Sequence, residues 1–342
     1  MTDARLLTRA LADPPSTASF GPADWTPLIA MARAEQLLGS LAHRLDGLAQ
    51  SDKVAELLAA ARASADHARR TALWEAEMAR RALADIDARV ILLKGTAYVA
   101  AGLSAGIGRS IGDLDILVPR ASLDAVERAL IGRGGWEWVK EDDYDDAYYR
   151  RWMHELPPLI HKERDRMIDV HHTILPPTAR PTPDADALIA DSEALDPSEP
   201  RGLRVLSPPD MICHAACHML ADGDLAGGLR NLWDIDRLLR DFGEREGFWD
   251  DLAARAERHQ LTKPVARALR LAEALYGTPV DGDVAGRGRA GDALYIRRLL
   301  ARDGWGRETR KGLRQAFYIR SHWLRMPPAM LARHLWTKWR KG

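Results

Sequence analysis

From Ala23 to Ala84 apolar side chains recur at helical spacing among alanine, arginine and glutamate, with almost no glycine or proline after Pro27. This predicts a helical N-terminal segment over residues 1–86. The pattern then shortens. Between Arg89 and His172 it breaks into the apolar runs Val90 to Leu93, Asp115 to Val118, Trp136 to Val139, Leu159 to His161 and Ile168 to His171, separated by turn-formers, and these predict strands. One helix is predicted from Ser122 to Ile131, with Ser122 as its cap and Asp124 in its positive first turn. Residues 87–175 therefore read as a small α/β unit, in which the acidic, aromatic run Glu141 to Tyr149 predicts a mobile loop. Residues 176–209 are rich in proline and aspartate and predict an irregular linker, because proline interrupts both helices and central strands. Beyond it, from 210 to 342, the helical pattern returns over Asp210 to Leu220, Leu225 to Phe242, Phe248 to Gln260, Lys263 to Tyr276 and Leu294 to Trp339, with a break at Pro327-Pro328. A helical C-terminal lobe follows, and the class is α+β.

At 342 residues and 46% hydrophobic content the chain has ample material for buried cores. Lysine plus arginine and aspartate plus glutamate both number 49, so net charge indicates neither nucleic acid nor a membrane surface as partner. A basic, tryptophan-rich C-terminus, with Arg320, His322, Arg325, Arg333, His334, Lys338, Arg340 and Lys341 among Trp323, Trp336 and Trp339, could lie on a membrane surface or nucleic acid, but tryptophans at helical spacing more often pack on the protein's own body. No apolar run approaches the roughly 20 residues of a membrane span, and the N-terminus lacks a secretory pattern. A cytoplasmic location is the default expectation. The only cysteines are Cys213 and Cys217, which excludes a disulfide framework. With His214 and His218 they raise a zinc alternative, set against small buried thiols on a packed helix.

The candidate chemistry lies in the strand region. Asp113 and Asp115 alternate at the start of an apolar run, which points both side chains the same way. Asp169 interrupts another such run. Three acids on adjacent strands, costly without a cation, suit a site for two magnesium ions working on a nucleoside triphosphate. Asp169 is the candidate for helping remove the acceptor's proton. Before them, Lys94-Gly95-Thr96 follows a strand and opens a helix, so its amides and the Thr96 hydroxyl can meet phosphates at the positive helix end. Lys94 adds a point charge, and Arg109 and Ser110 are placed to reach the same phosphates. Arg230, Asn231 and Asp234, on one helix face, could close over a base or an acceptor, or simply pair on a helix surface.

Leu92-Leu93-Lys94-Gly95-Thr96-Ala97, Arg109-Ser110-Ile111-Gly112-Asp113-Leu114-Asp115-Ile116-Leu117-Val118, Gly134-Gly135-Trp136 and Ile168-Asp169-Val170-His171 together resemble the bacterial uncharacterised nucleotidyltransferase family of the polymerase-β-like superfamily, over roughly residues 25–280. The resemblance implies a minimal mixed sheet with flanking helices and two-metal catalysis, with Asp113, Asp115 and Asp169 as metal ligands and Gly95 and Thr96 as the phosphate turn. The superfamily commonly has Gly-Gly or Gly-Ser where this chain has Lys94-Gly95. The activity so expected is transfer of a nucleoside monophosphate from a nucleoside triphosphate, ATP being one candidate, to a hydroxyl-type acceptor on a protein, peptide, RNA or small molecule. Phosphoryl or pyrophosphoryl transfer, and a nucleotide-binding accessory or antitoxin-like module with little turnover, are the alternatives.

Overall fold

The computed structural model describes residues 3–140, 143–199, 201–325 and 336. Seven short strands, β1 (Ile91–Leu92), β2 (Leu114–Leu117), β3 (Trp136–Trp138), β4 (Leu159–His161), β5 (Met167–His171), β6 (Glu193–Ala194) and β7 (Arg204–Val205), form one mixed sheet in the order β3-β4-β5-β2-β1-β7-β6. β2 and β5 run parallel at its centre, β1 is antiparallel to β2, and β3, β4 and β5 pair antiparallel in sequence. All four residues of β2 are buried, as expected of a central strand covered on both faces. The apolar run placed at Asp115 to Val118 pairs one residue earlier, so Asp115 lies inside the strand instead of opening it.

The N-terminal segment folds into four α-helices, the last of which, Asp52–Ala82, covers the sheet beside β2 and the helix Lys94–Ala100. An acid in its first turn and Arg80 and Arg81 in its last complement the helix dipole. Its buried residues Ala65, Ala72, Ala76 and Ala79 recur at helical spacing. A close backbone crossing joins this segment to the loop before β2: a Cβ on Gly39 would overlap the Gly108 carbonyl, and Gly108 itself holds φ +67. Both positions need glycine.

Three local expectations are corrected. The helix expected from Ser122 spans Leu123–Gly132, and Ser122 makes no side-chain cap bond. A 3₁₀ turn, Arg120–Ser122, leads into it, so Ser122 lacks the extended backbone a capping side chain needs. The expected loop at 141–149 is helical from Asp143 to Trp152, with Glu141 and Asp142 outside the described residues. The segment 176–209 holds a helix, Ala185–Ala190, capped by Asp184, and then β6 and β7. β7 pairs with β1, and Arg204 N–H donates to the Val90 carbonyl at 3.0 Å. Prolines interrupt the segment, yet the free edge of β1 recruits its short apolar stretch.

The C-terminal helices Pro208–Cys217, Gly228–Phe242, Phe248–Arg258 and Thr262–Tyr276 pack together, and their buried apolar residues join those of the sheet and the N-terminal helices in one contiguous cluster. The expected helix from Leu294 is interrupted around 300–310 and resumes as Lys311–Arg325. There Arg320 lies over the Tyr295 and Phe317 rings and donates to the Leu220 carbonyl, while Arg180 covers Trp323. This part of the basic C-terminus packs on the body. Arg333, His334, Lys338, Trp339, Arg340 and Lys341 lie outside the described residues. Among the described residues no helix is long and apolar enough to cross a membrane.

Candidate active site

Asp115 on β2 and Asp169 on β5 are register partners across two parallel strands, so their side chains share one face. Asp113 sits two residues upstream on the same side. One carboxylate oxygen from each lies within 4.8 Å of the others, with Asp115 buried, Asp169 half-buried and Asp113 exposed. The sequence-predicted acids are therefore brought together. Their charge balance is unusual for this molecule. Buried carboxylates elsewhere meet guanidinium groups: Glu35 meets Arg302 at 2.7 Å, Glu75 meets Arg164 at 2.9 Å, Asp236 meets Arg240 at 2.9 Å and Asp292 meets Arg270 at 2.7 Å. Asp169 has no ion pair among the described residues. Burial, reinforced by Asp115, Glu155 and Asp113, pushes its carboxyl up to about 7, against a smaller opposing pull from His171. For Asp115 burial alone would act the same way, but Lys94 and His171 outweigh it and hold the group ionised.

Lys94, expected to aim its charge at a phosphate, places Nζ 2.6 Å from Asp115 Oδ1. Its burial disfavours the ammonium, and Asp115, Asp113 and Glu155 more than offset this, so the amine stays charged. Lys94 also takes the turn's positive φ of +49, a conformation rare for residues with a Cβ. Gly95 serves a different need. A Cβ there would overlap the Arg109 guanidinium, so the missing side chain makes the room Arg109 occupies. Thr96 is buried.

Arg109 is committed to the helical lobe. Its Nε and Nη2 donate to Asp234 Oδ2 at 3.1 and 2.8 Å, and Nη1 to the Ser110 carbonyl at 3.3 Å. Arg230 grips the other oxygen of Asp234 at 3.3 Å and donates to the Gln36 carbonyl at 2.5 Å and to Ser110 at 3.3 Å. Arg230 and Asp234 thus bind lobe, turn and N-terminal segment together. Ser110 is exposed and Asn231 half-buried. A narrow cleft runs past Asp113 between Thr96, Gly112, Glu75, Arg166 and Met167. A cleft of about 850 Å³ lies elsewhere, around Phe20, Trp25, Val54 and Trp305, and is lined by none of the acids.

Sequence reasoning missed His171 and Glu155. His171 Nε2 lies 3.0 Å from Asp115 Oδ1, and its Nδ1 lies 3.4 Å from Glu155 Oε2. The signal for His171 was present, since it follows Asp169 by two and shares its strand face. Glu155 reaches the site through an isolated bridge to His171, which no local pattern announces. Cys213 and Cys217 are buried and form no disulfide with each other, and the Cys217 thiol faces the Ile174 carbonyl at 3.6 Å. Among the described residues the two groups able to hold a metal are Asp113, Asp115, Asp169 and His154, Glu155, His171, so the zinc alternative at 213–218 finds no support.

No curated protein matches the chain. A family model described as an uncharacterised nucleotidyltransferase matches residues 21–277. That span takes in three of the four N-terminal helices, the sheet with its three acids, the Lys94-Gly95-Thr96 turn and the Arg230/Asp234 helix. By this match over most of its length, the chain belongs to that family of nucleotidyltransferases, and so to the transferases.

Proposed function

We propose that the protein is a magnesium-dependent nucleotidyltransferase, moving a nucleoside monophosphate from a triphosphate such as ATP to a hydroxyl on a protein, peptide, RNA or small molecule. One observation carries this reading: Asp169 faces Asp115 in register and, among the described residues, has no ion pair of its own, which is the donor set and the charge deficit that hard divalent ions require. Asp113 and Asp115 would hold both ions and Asp169 the nucleophile-side one. Magnesium bound there neutralises phosphate charge and acidifies the attacking hydroxyl.

The chain's own groups do the rest. Asp169 takes the proton from the acceptor hydroxyl, whose oxygen forms a bond to the α-phosphorus as the bond to the bridging oxygen breaks and pyrophosphate leaves with its electron pair. Lys94 and His171 keep Asp115 ionised and oriented. Gly95 and Thr96 lie in the first turn of the helix Lys94–Ala100, whose free N–H groups suit the terminal phosphates. Arg109, fixed by Asp234, backs that turn beside Ser110.

The test is product mass and label. Incubated with magnesium, candidate acceptors and triphosphates labelled at the α or γ position, the protein is expected to release pyrophosphate and add a nucleotide-sized mass carrying the α label. Phosphate-sized increments carrying the γ label would replace this reading with phosphoryl transfer. Binding without turnover would replace it with an accessory role.

A further inference from the structure

Of the second group of metal-ligating side chains the transfer reaction uses only His171, through its bond to Asp115, and gives His154 and Glu155 no task. We propose that His154, Glu155 and His171 form a separate binding site for a transition-metal ion of the zinc type, set behind Asp115. The proposal does not depend on the transfer reading.

Geometry carries it. Glu155 Oε2 lies 3.4 Å from His171 Nδ1 and 3.8 Å from His154 Nε2, close to the roughly 3.4 Å edge of a tetrahedron with 2.0–2.1 Å metal bonds. The two imidazole rings are 5.2 Å apart and tilted by 31°, and the three donor atoms lie within 4.8 Å of one another. Such a site leaves a fourth position for water. His171 meets the usual requirement on a ligating histidine, because its other nitrogen is held by the Asp115 carboxylate at 3.0 Å.

Ordinary packing explains His154 poorly. Its Nδ1 is buried without a hydrogen-bond partner, and 3.8 Å to Glu155 is too long for a hydrogen bond. Neither nitrogen of this half-buried imidazole makes a hydrogen bond among the described residues, and a metal bond through Nε2 would fix the ring. Carboxylates are concentrated here, since Asp113, Asp115 and Glu155 all act on the Lys94 ammonium and Asp169 lies beside them. Imidazole donors select zinc, cobalt or nickel over magnesium, so the two groups would take different ions.

The test uses the full chain, stripped with a chelator and titrated with Co²⁺ in excess Mg²⁺. One Co²⁺ per chain is expected, with the visible absorption of a low-coordinate nitrogen and oxygen site, displaced by Zn²⁺. Glu155→Gln, which keeps the side chain's shape, and His154→Ala are each expected to weaken Co²⁺ binding by more than the roughly 10–100-fold that losing an outer-shell partner costs. Asp113→Ala is expected to leave it unchanged. Melting curves followed by circular dichroism confirm that each variant is folded, and the Glu155→Gln result decides if His154→Ala is not. Displacement of Co²⁺ by Mg²⁺, binding lost in Asp113→Ala, or full binding in folded Glu155→Gln would overturn the proposal.

Discussion

At Lys94 a residue with a Cβ holds a left-handed backbone, φ +49, while its ammonium neutralises Asp115 at 2.6 Å. Strain and charge can be separated. Lys94→Ala and Lys94→Gly both leave Asp115 with only His171, but glycine tolerates the positive φ, so denaturant unfolding should find the glycine variant more stable by about 1 kcal/mol. Equal midpoints would contradict the turn. At Asp169 the sign runs the other way from a paired acid. Its carboxyl is raised to about 7 in the fold from near 4 in an unfolded chain, so ionising it opposes folding. The penalty is absent below about pH 4, grows as pH rises, and is complete above about 7. In chelator, Asp169→Asn should therefore match wild type near pH 4 and exceed its stability at pH 8 by on the order of 4 kcal/mol. A thermal-melt series that shows no widening gap would remove the claim that Asp169 lacks a cation. Asp113 and Asp115 were legible because they alternate at the start of an apolar run, and Asp169 because it interrupts one, where an unpaired carboxylate is costly. His154 and Glu155 were not, since their position depends on pairing with β5 across a bend in the chain.

The elements around the turn depend on one another through Arg109. Its guanidinium fills the space over Gly95 and is fixed by Asp234 at 2.8 Å. Gly95→Ala should push that group off Asp234 and cost about 1–3 kcal/mol, as overpacking does. In an Arg109→Ala background most of that cost should vanish, because the added methyl then meets open space. A double-mutant cycle on unfolding free energies checks this, and strict additivity would mean that Gly95 is required for some other reason. The strands β1 to β5 could be read from the chain because apolar runs mark buried strands. β6 and β7, two residues each, could not, because neighbouring edges hold them and no pattern of their own does. Ser122 shows the same limit, since its identity suggests a cap but its αR backbone denies one.

Across the whole molecule the helical lobe closes on the sheet at fixed points. Ser104 N–H donates to Asp241 at 2.8 Å, and Arg230 spans Asp234, Ser110 and Gln36. Asp234→Asn leaves Arg109 and Arg230 facing each other without the carboxylate between them. Breaking such a buried network should lower stability by about 3 kcal/mol, and hydrogen exchange should report loosening at both the Lys94–Ala100 helix and the 108–112 loop. Protection lost only within the lobe would show that the two parts are not coupled there. Helices on both sides of the sheet were visible as pattern, whereas their joining through one aspartate depends on contacts more than a hundred residues apart. Asp113, Asp115 and Asp169 are proposed to hold a divalent ion together with a triphosphate. Electron paramagnetic resonance of Mn²⁺, titrated into the protein with a non-hydrolysable triphosphate, tests it most directly. Wild type should bind Mn²⁺ in a nucleotide-dependent manner, and a folded Asp113→Ala, Asp169→Asn double variant should lose that binding; identical titrations of the two proteins would contradict the account.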